Sequence, residues 1–113
     1  MFKGDEEKKR IEMTEGDFGT VLPINIGGIE LTGNDKFLLK IFKEKDEEAI
    51  IEKLFENIID NTLELKFTQE ESKKLTVGNY YYDLDWFQED TFLSNLLAGK
   101  TFKINDKAGK VGD

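Results

Sequence analysis

The sequence has no cysteine and no histidine among its 113 residues. Without cysteine there is no disulfide and no thiolate chemistry, so stability rests on packing and the redox compartment is unmarked. Without histidine, a serine or cysteine hydrolase lacks its usual base, and serine hydroxyls occur only at Ser72 and Ser94. Apolar runs last only a few residues, far short of the roughly 20 needed to span a bilayer. The opening "MFKGDEEKKR" is charged rather than apolar, unlike a secretory signal. Basic charge is also short, with 16 lysines and arginines against 24 acids and a net charge of -8. Phosphate backbones are held by basic faces that displace counterions, so neither nucleic acid nor a membrane is an expected partner. The chain is expected to be made and kept in the cytosol, or in a particle assembled there.

What is present suffices for one core. Hydrophobic residues make up 38% of the chain, with nine phenylalanines, three tyrosines and one tryptophan, enough apolar area for a single domain of this length. Residues 1–10 are charge-dense and read as an extension outside the core, 11–105 as the domain, and 106–113 as a tail. From Phe18 the spacing has period two, the signature of strands: Phe18, Thr20, Leu22, Ile24 and Ile26 share a face. Pro23, the single proline, pushes that strand toward a sheet edge or a bulge because it has no amide hydrogen to donate. The same alternation recurs in Phe37, Leu39 and Ile41, in Leu63, Leu65 and Phe67, in Tyr80, Tyr82, Leu84 and Trp86, and in Phe102 and Ile104. Leu65, Phe67, Tyr82 and Trp86 are accordingly expected in the core.

Two segments are less direct. In "DEEAIIEKLFENII", residues 46–58, Ile50, Ile51, Leu54, Phe55 and Ile58 also fit helical spacing, so strand and helix both stay open, with the flanking strands favouring a strand over 49–55. "TQEESKKL" reads as a single helical turn or loop. The glycines of "IGGIELTGND" supply turn positions; because Gly27 and Gly28 precede a short strand rather than open a helix, they make no phosphate cradle.

No cofactor or metal site is expected. Asp83 and Asp85 resemble the start of a calcium loop, but the glycine and glutamate that such a loop needs further on are missing. With Tyr80, Tyr82, Leu84 and Trp86 inward, Tyr81, Asp83, Asp85 and Phe87 fall on the opposite face. These four residues are the candidate protein interface, aromatics framed by acids that are expected to be exposed. Residues 75–99 carry four acids and no base, while Lys100, Lys103, Lys107 and Lys110 follow, so copies pairing head to tail would match opposite charges.

The order of these segments resembles a family. "TEGDFGTVLPINI", "IELTGNDKFLLKIFKE", "EEAIIEKLF", "TLELKFTQEESKKLTVGNYYYDLDWF" and "LLAGKTFKI" are similar to the immunoglobulin-like domains of tailed-phage proteins, close to the N-terminal domain of upper baseplate proteins of phages of Gram-positive bacteria. The resemblance covers about residues 11–105. It is carried most by "FTQEESKKLTVGNYYYDLD", with Gly78 and Tyr80 at the glycine-x-tyrosine corner, and by "GKTFKI". It implies an all-β fold, an immunoglobulin-like antiparallel β-sandwich of about seven strands. It also implies a non-enzymatic structural and assembly protein of a phage or phage-like particle, located in the virion and contacting other copies of itself or other particle proteins. The family's baseplate members continue into a long C-terminal region that this sequence lacks, which leaves baseplate, tail tube and capsid surface as alternatives. Two other readings compete: a small acidic inhibitor that mimics the charge of DNA, blunted by the 16 basic residues, and a carbohydrate-binding sandwich with Tyr81, Trp86 or Phe87 as its sugar platform.

Overall fold

In the stretch from Asp35 to Phe42 every second residue is buried, with Phe37, Leu39 and Ile41 wholly enclosed and Lys36, Leu38, Lys40 and Phe42 partly open. The same alternation organises the computed structural model, which describes residues 2–5, 10–27, 30–44, 47–56 and 58–106. Its elements are β1 (Phe2–Asp5), β2 (Arg10–Thr14), β3 (Leu22–Asn25), β4 (Asp35–Phe42), β5 (Ile51–Phe55), β6 (Thr62–Leu65), α1 (Gln69–Ser72), β7 (Gly78–Gln88) and β8 (Thr91–Asn105). The fold is all-β. A six-stranded sheet runs β1-β2-β8-β7-β4-β5, and a two-stranded sheet of β3 and β6 packs on it as the second layer of a sandwich.

All pairings are antiparallel except that of β2 with β8, which run parallel from Ile11 beside Phe102 to Thr14 beside Asn105. The core lies between the layers. Met13, Leu39 and Phe102 from the large sheet meet Leu63, Leu65 and Phe67 from the β6 side, and Phe102 takes Phe67 and Tyr82 edge-on at 5.9 and 6.4 Å. Tilted aromatic contacts of this kind add to the area they bury.

Local chemistry sets the boundaries. Pro23 is exposed and pairs on one side only, as expected of a residue without an amide hydrogen. The segment with two readings is a strand: β5 lies along β4 from Ile41 beside Ile51 to Phe37 beside Phe55, so the backbone ladder of β4 overrides helical spacing. Positions 46 and 57 lie outside the described residues. Thr68 caps α1 reciprocally, its hydroxyl accepting from the Glu71 amide while the Glu71 carboxylate accepts from the Thr68 amide. That carboxylate also meets Lys53 Nζ at 2.7 Å, tying the helical turn to β5.

Three expectations change. Phe2–Asp5, placed outside the core by its charge, forms β1 through backbone pairing with β2, which needs no apolar side chains. Phe18, expected on the inward face, is half exposed because β3 begins only at Leu22. Trp86, expected in the core, is only partly buried: it sits two residues before the end of β7, stacks flat on Phe37 at 6.3 Å and donates its indole N–H to Asp35 at 2.9 Å. It forms the rim of the core rather than its centre.

Tyr80 anchors the start of β7. It is buried, and its hydroxyl donates to the Thr76 carbonyl at 3.0 Å while accepting from the Thr76 amide at 3.0 Å, with Lys43 Nζ 4.5 Å above the ring. Gly78 lets the chain enter the strand at φ 149°, where a Cβ would also sit 3.2 Å from Lys43 Nζ. Removing the hydroxyl in Tyr80→Phe leaves both groups of Thr76 without this partner, and a loss of roughly 1–3 kcal/mol is expected. A lower urea midpoint at unchanged slope is the result that checks it.

Asp35 opens β4 as a buried carboxylate that accepts the amides of Thr32 and Gly33, the Thr32 hydroxyl and the Trp86 indole. Burial alone would raise its pKa, but these hydrogen bonds outweigh it and hold the group below the ordinary aspartate range. A depressed folded pKa stabilises above the unfolded value, about 3.9, and that stabilisation disappears as pH falls through the folded pKa. Stability is therefore expected to fall as pH drops below about 4, and less steeply in Asp35→Asn, as followed by urea midpoints across that range.

Candidate protein interface

The outward face of β7 is where sequence spacing places Tyr81, Asp83, Asp85 and Phe87. The structure brings all four onto one side of the sheet, but beside partners from β4 and β8. Tyr81 pairs with Phe42, Asp83 with Lys40, Asp85 with Leu38 and Phe87 with Lys36. The expectation that both aspartates are exposed is overturned for Asp85, which is buried, and reduced for Asp83, which is half-buried.

The cause is the irregular pairing of β8. Three shifts of register between β7 and β8 leave extra residues on the β8 side, so its backbone groups need other acceptors. Asp83 Oδ1 takes the amide of Gly99 at 2.7 Å, where Gly99 turns the bulge at φ 60°, a conformation open to glycine. Asp85 accepts the Asn95 side-chain amide at 2.6 Å and lies 3.6 Å from Lys40 Nζ. These two acids hold the bulged strand in place rather than forming a solvated patch.

Charge on this face is also balanced. Lys36 reaches Glu56 at 3.6 Å and Asp90 at 3.5 Å, and Lys40 faces both aspartates, so part of the acidic charge of β7 is met within the chain. Lys107 and Lys110 lie outside the described residues. Beside the exposed Glu52, Glu56 and Asp90, the face also exposes apolar groups. Leu54 is 55% and Phe92 53% accessible; Leu54 pairs with Leu38, and Phe92 meets Phe87 edge-on at 5.6 Å. Of the four expected residues, Phe87 belongs to this strip and Tyr81 stands beside Phe42 at its far end.

A second feature had no sequence signal. β2 covers β8 only from Phe102 to Asn105, and β3 pairs only with β6, so the seam between β3 and the upper part of β8 is open among the described residues. A cleft of about 510 Å³ lies there. Ile24 and Ile26 of the β3 segment form one wall, Leu96 and Leu97 of β8 another, and Tyr82 and Leu84 lie at its base. Burial pushes the Tyr82 hydroxyl up to about 12, so it stays neutral. Gly4 closes the end where β1 approaches Leu22.

Among the described residues, the charged residue on the cleft wall is Arg10. Its Nη2 lies 3.4 Å from Glu12, while its Nε is shut off from water with no hydrogen-bond partner. Buried donors of this kind are rare and costly, and they mark places where an acceptor is missing.

Replacing both aspartates, Asp83→Lys with Asp85→Lys, is expected to weaken the fold by about 2–5 kcal/mol, because it strips the bulge of its acceptors and sets lysines against Lys40. Thermal unfolding of the double variant checks this; an unchanged midpoint would mean that the acids are not structural. No family model matches the chain, and no curated protein or solved structure matches it significantly.

Proposed function

We propose that the chain is a non-enzymatic assembly domain of the immunoglobulin type that works by protein-protein contact in a phage or phage-like particle. The observation that carries the contact function is the pair of exposed apolar residues Leu54 and Phe92, joined by the half-buried Leu38 and Phe87, on the outer face of the large sheet. Apolar groups gathered on one exposed face, rimmed here by Lys36, Lys40 and Glu56, are typical of surfaces that another protein covers.

Support for the immunoglobulin type comes from connectivity. In such sandwiches one sheet carries the last two strands beside the third, with an added neighbour in the variable type, and the other sheet pairs the second strand with the fifth. Counting from β2, the order β8-β7-β4-β5 over β3-β6 fits that plan. The Tyr80 hydroxyl turned back onto Thr76 after the α1 turn fits the tyrosine corner of the same folds. The assignment to a particle rests on the likeness of "FTQEESKKLTVGNYYYDLD" and "GKTFKI" to phage domains. The sugar-platform reading loses Trp86, whose ring is stacked on Phe37 and whose N–H is bonded to Asp35.

Two measurements test the proposal. Particles purified from cells that make the protein are expected to bind an antibody raised against the domain at a fixed place under the electron microscope. Leu54→Lys with Phe92→Lys is expected to fold yet be missing from those particles. Unlabelled particles would refute the particle assignment, and normal incorporation of the double variant would refute the strip as the contact.

A further inference from the structure

The cleft beside β3 has the features of an incomplete sandwich layer. The small sheet has two strands where the large one has six, and its β3 edge borders an apolar space of about 510 Å³. That volume falls in the range of about 300–1,000 Å³ typical of ligand sites. An apolar seam left open beside an unpaired strand edge is unfavourable on both counts, since it leaves aliphatic surface unburied and backbone groups without a protein partner.

Backbone geometry shows which groups are free. Ile26 donates to the Asn61 carbonyl at 2.8 Å and β3 pairs Ile24 with Leu63, so alternate residues of this segment face β6. The residues between them, Pro23 and Asn25, turn their backbone groups to the other side, over the cleft. Pro23 offers only a carbonyl there, while Asn25 offers both N–H and carbonyl. The Asn25 side chain is engaged separately, accepting from the Gly27 amide at 2.7 Å. One full donor-acceptor position plus one extra acceptor suits a short added strand in a single register.

We propose that this cleft is a strand-addition site: an extended segment of a partner protein, with aliphatic side chains at alternate positions and one carboxylate, pairs with β3 at Asn25 and fills the cleft. The aliphatic side chains of such a strand, which point one way at every second residue, meet Ile24, Leu84, Leu96 and Leu97. Its carboxylate pairs with the open part of the Arg10 guanidinium, on a side chain that keeps 42% of its surface accessible. Edge addition of this kind draws affinity from main-chain hydrogen bonds and specificity from the alternate pockets. The occupant is taken as a partner segment because the described residues of the wall present one cation and otherwise apolar and uncharged groups, which an alternating acidic strand complements. The inference rests on the reading of the chain as an assembly domain and states how such a domain holds a neighbour.

The test uses the isotope-labelled full chain and an acetylated octapeptide that alternates valine with threonine and carries one aspartate. Amide resonances of Asn25, Leu96 and Leu97 and the side-chain Nε resonance of Arg10 are expected to move together on titration. A peptide with lysine in place of aspartate is expected to bind about tenfold more weakly, the loss of one charge-assisted contact. In the protein, Asn25→Pro removes the outward N–H without touching the β6 ladder and is expected to weaken binding about tenfold or more. Asn25→Ala keeps that N–H, removes the side-chain bond to Gly27 and is expected to bind as the parent chain does, which separates strand addition from general damage.

Four outcomes overturn the proposal. They are no shift at millimolar peptide, equal binding by a peptide of the same composition with its valines contiguous, equal weakening by Asn25→Ala and Asn25→Pro, and movement of the same resonances with protein concentration alone. The last would make a second copy the occupant. Peptide binding by a domain that never labels particles would keep the site and discard the particle, whereas labelled particles with no peptide binding would do the reverse.

Discussion

The Tyr80 hydroxyl, held between the amide and the carbonyl of Thr76, sets the point at which β7 enters the large sheet. β7 is the strand on which the rest depends, because it is paired along its length by β4 on one side and β8 on the other. A slip of one residue at its start would turn Tyr80, Tyr82 and Leu84 to solvent and bring Tyr81 and Asp83 into the core. The corner is an unusually rigid way to prevent that, since a phenol reaching back to a backbone four residues earlier fixes both the loop after α1 and the first residues of the strand. Gly78 belongs to the same device, as the residue that lets the chain turn into the strand under Lys43.

Once β7 is placed, its two edges are handled differently. Towards β4 the pairing is regular over eight residue pairs, from Asp35 beside Gln88 to Phe42 beside Tyr81. Towards β8 it is broken three times, and the strand bends with each break. Asp83 and Asp85 stabilise that irregular side by accepting from Gly99 and Asn95, and their charge is met by Lys40. The bulges also explain why the upper part of β8 can lie beside an open seam without offering a flat, regular edge to any chain that meets it.

The site was legible in part. Period two correctly put Tyr81, Asp83, Asp85 and Phe87 on one face, because side-chain direction in a strand is local geometry. Their surroundings were not legible, since Lys36 and Lys40 are more than forty positions away in the chain and arrive only through the β4–β7 register. The strand that follows was unread from Thr91 to Gly99 for a related reason. Its turn places Glu89 at φ 55° without an Asn-Gly or Asp-Gly signal, and Asn34 supports that turn from another strand's loop by accepting the Glu89 amide at 2.8 Å. The cleft left no trace in the sequence, because Arg10, Ile24 and Leu97 meet only where two sheets fail to close.

The sequence by itself determined the strand character of the chain, the inward faces of β4, β6, β7 and the end of β8, and the edge or bulge that Pro23 requires. Each follows from alternation or a missing donor, both of which act within a few positions along the chain. Only the tertiary structure decided that residues 51–55 extend rather than coil, that β1 joins the sheet, that β2 runs parallel to β8, and that the acids of β7 are consumed by bulges. Those outcomes depend on which backbone edge or charged side chain lies alongside, and that is settled by contacts between segments far apart in the chain.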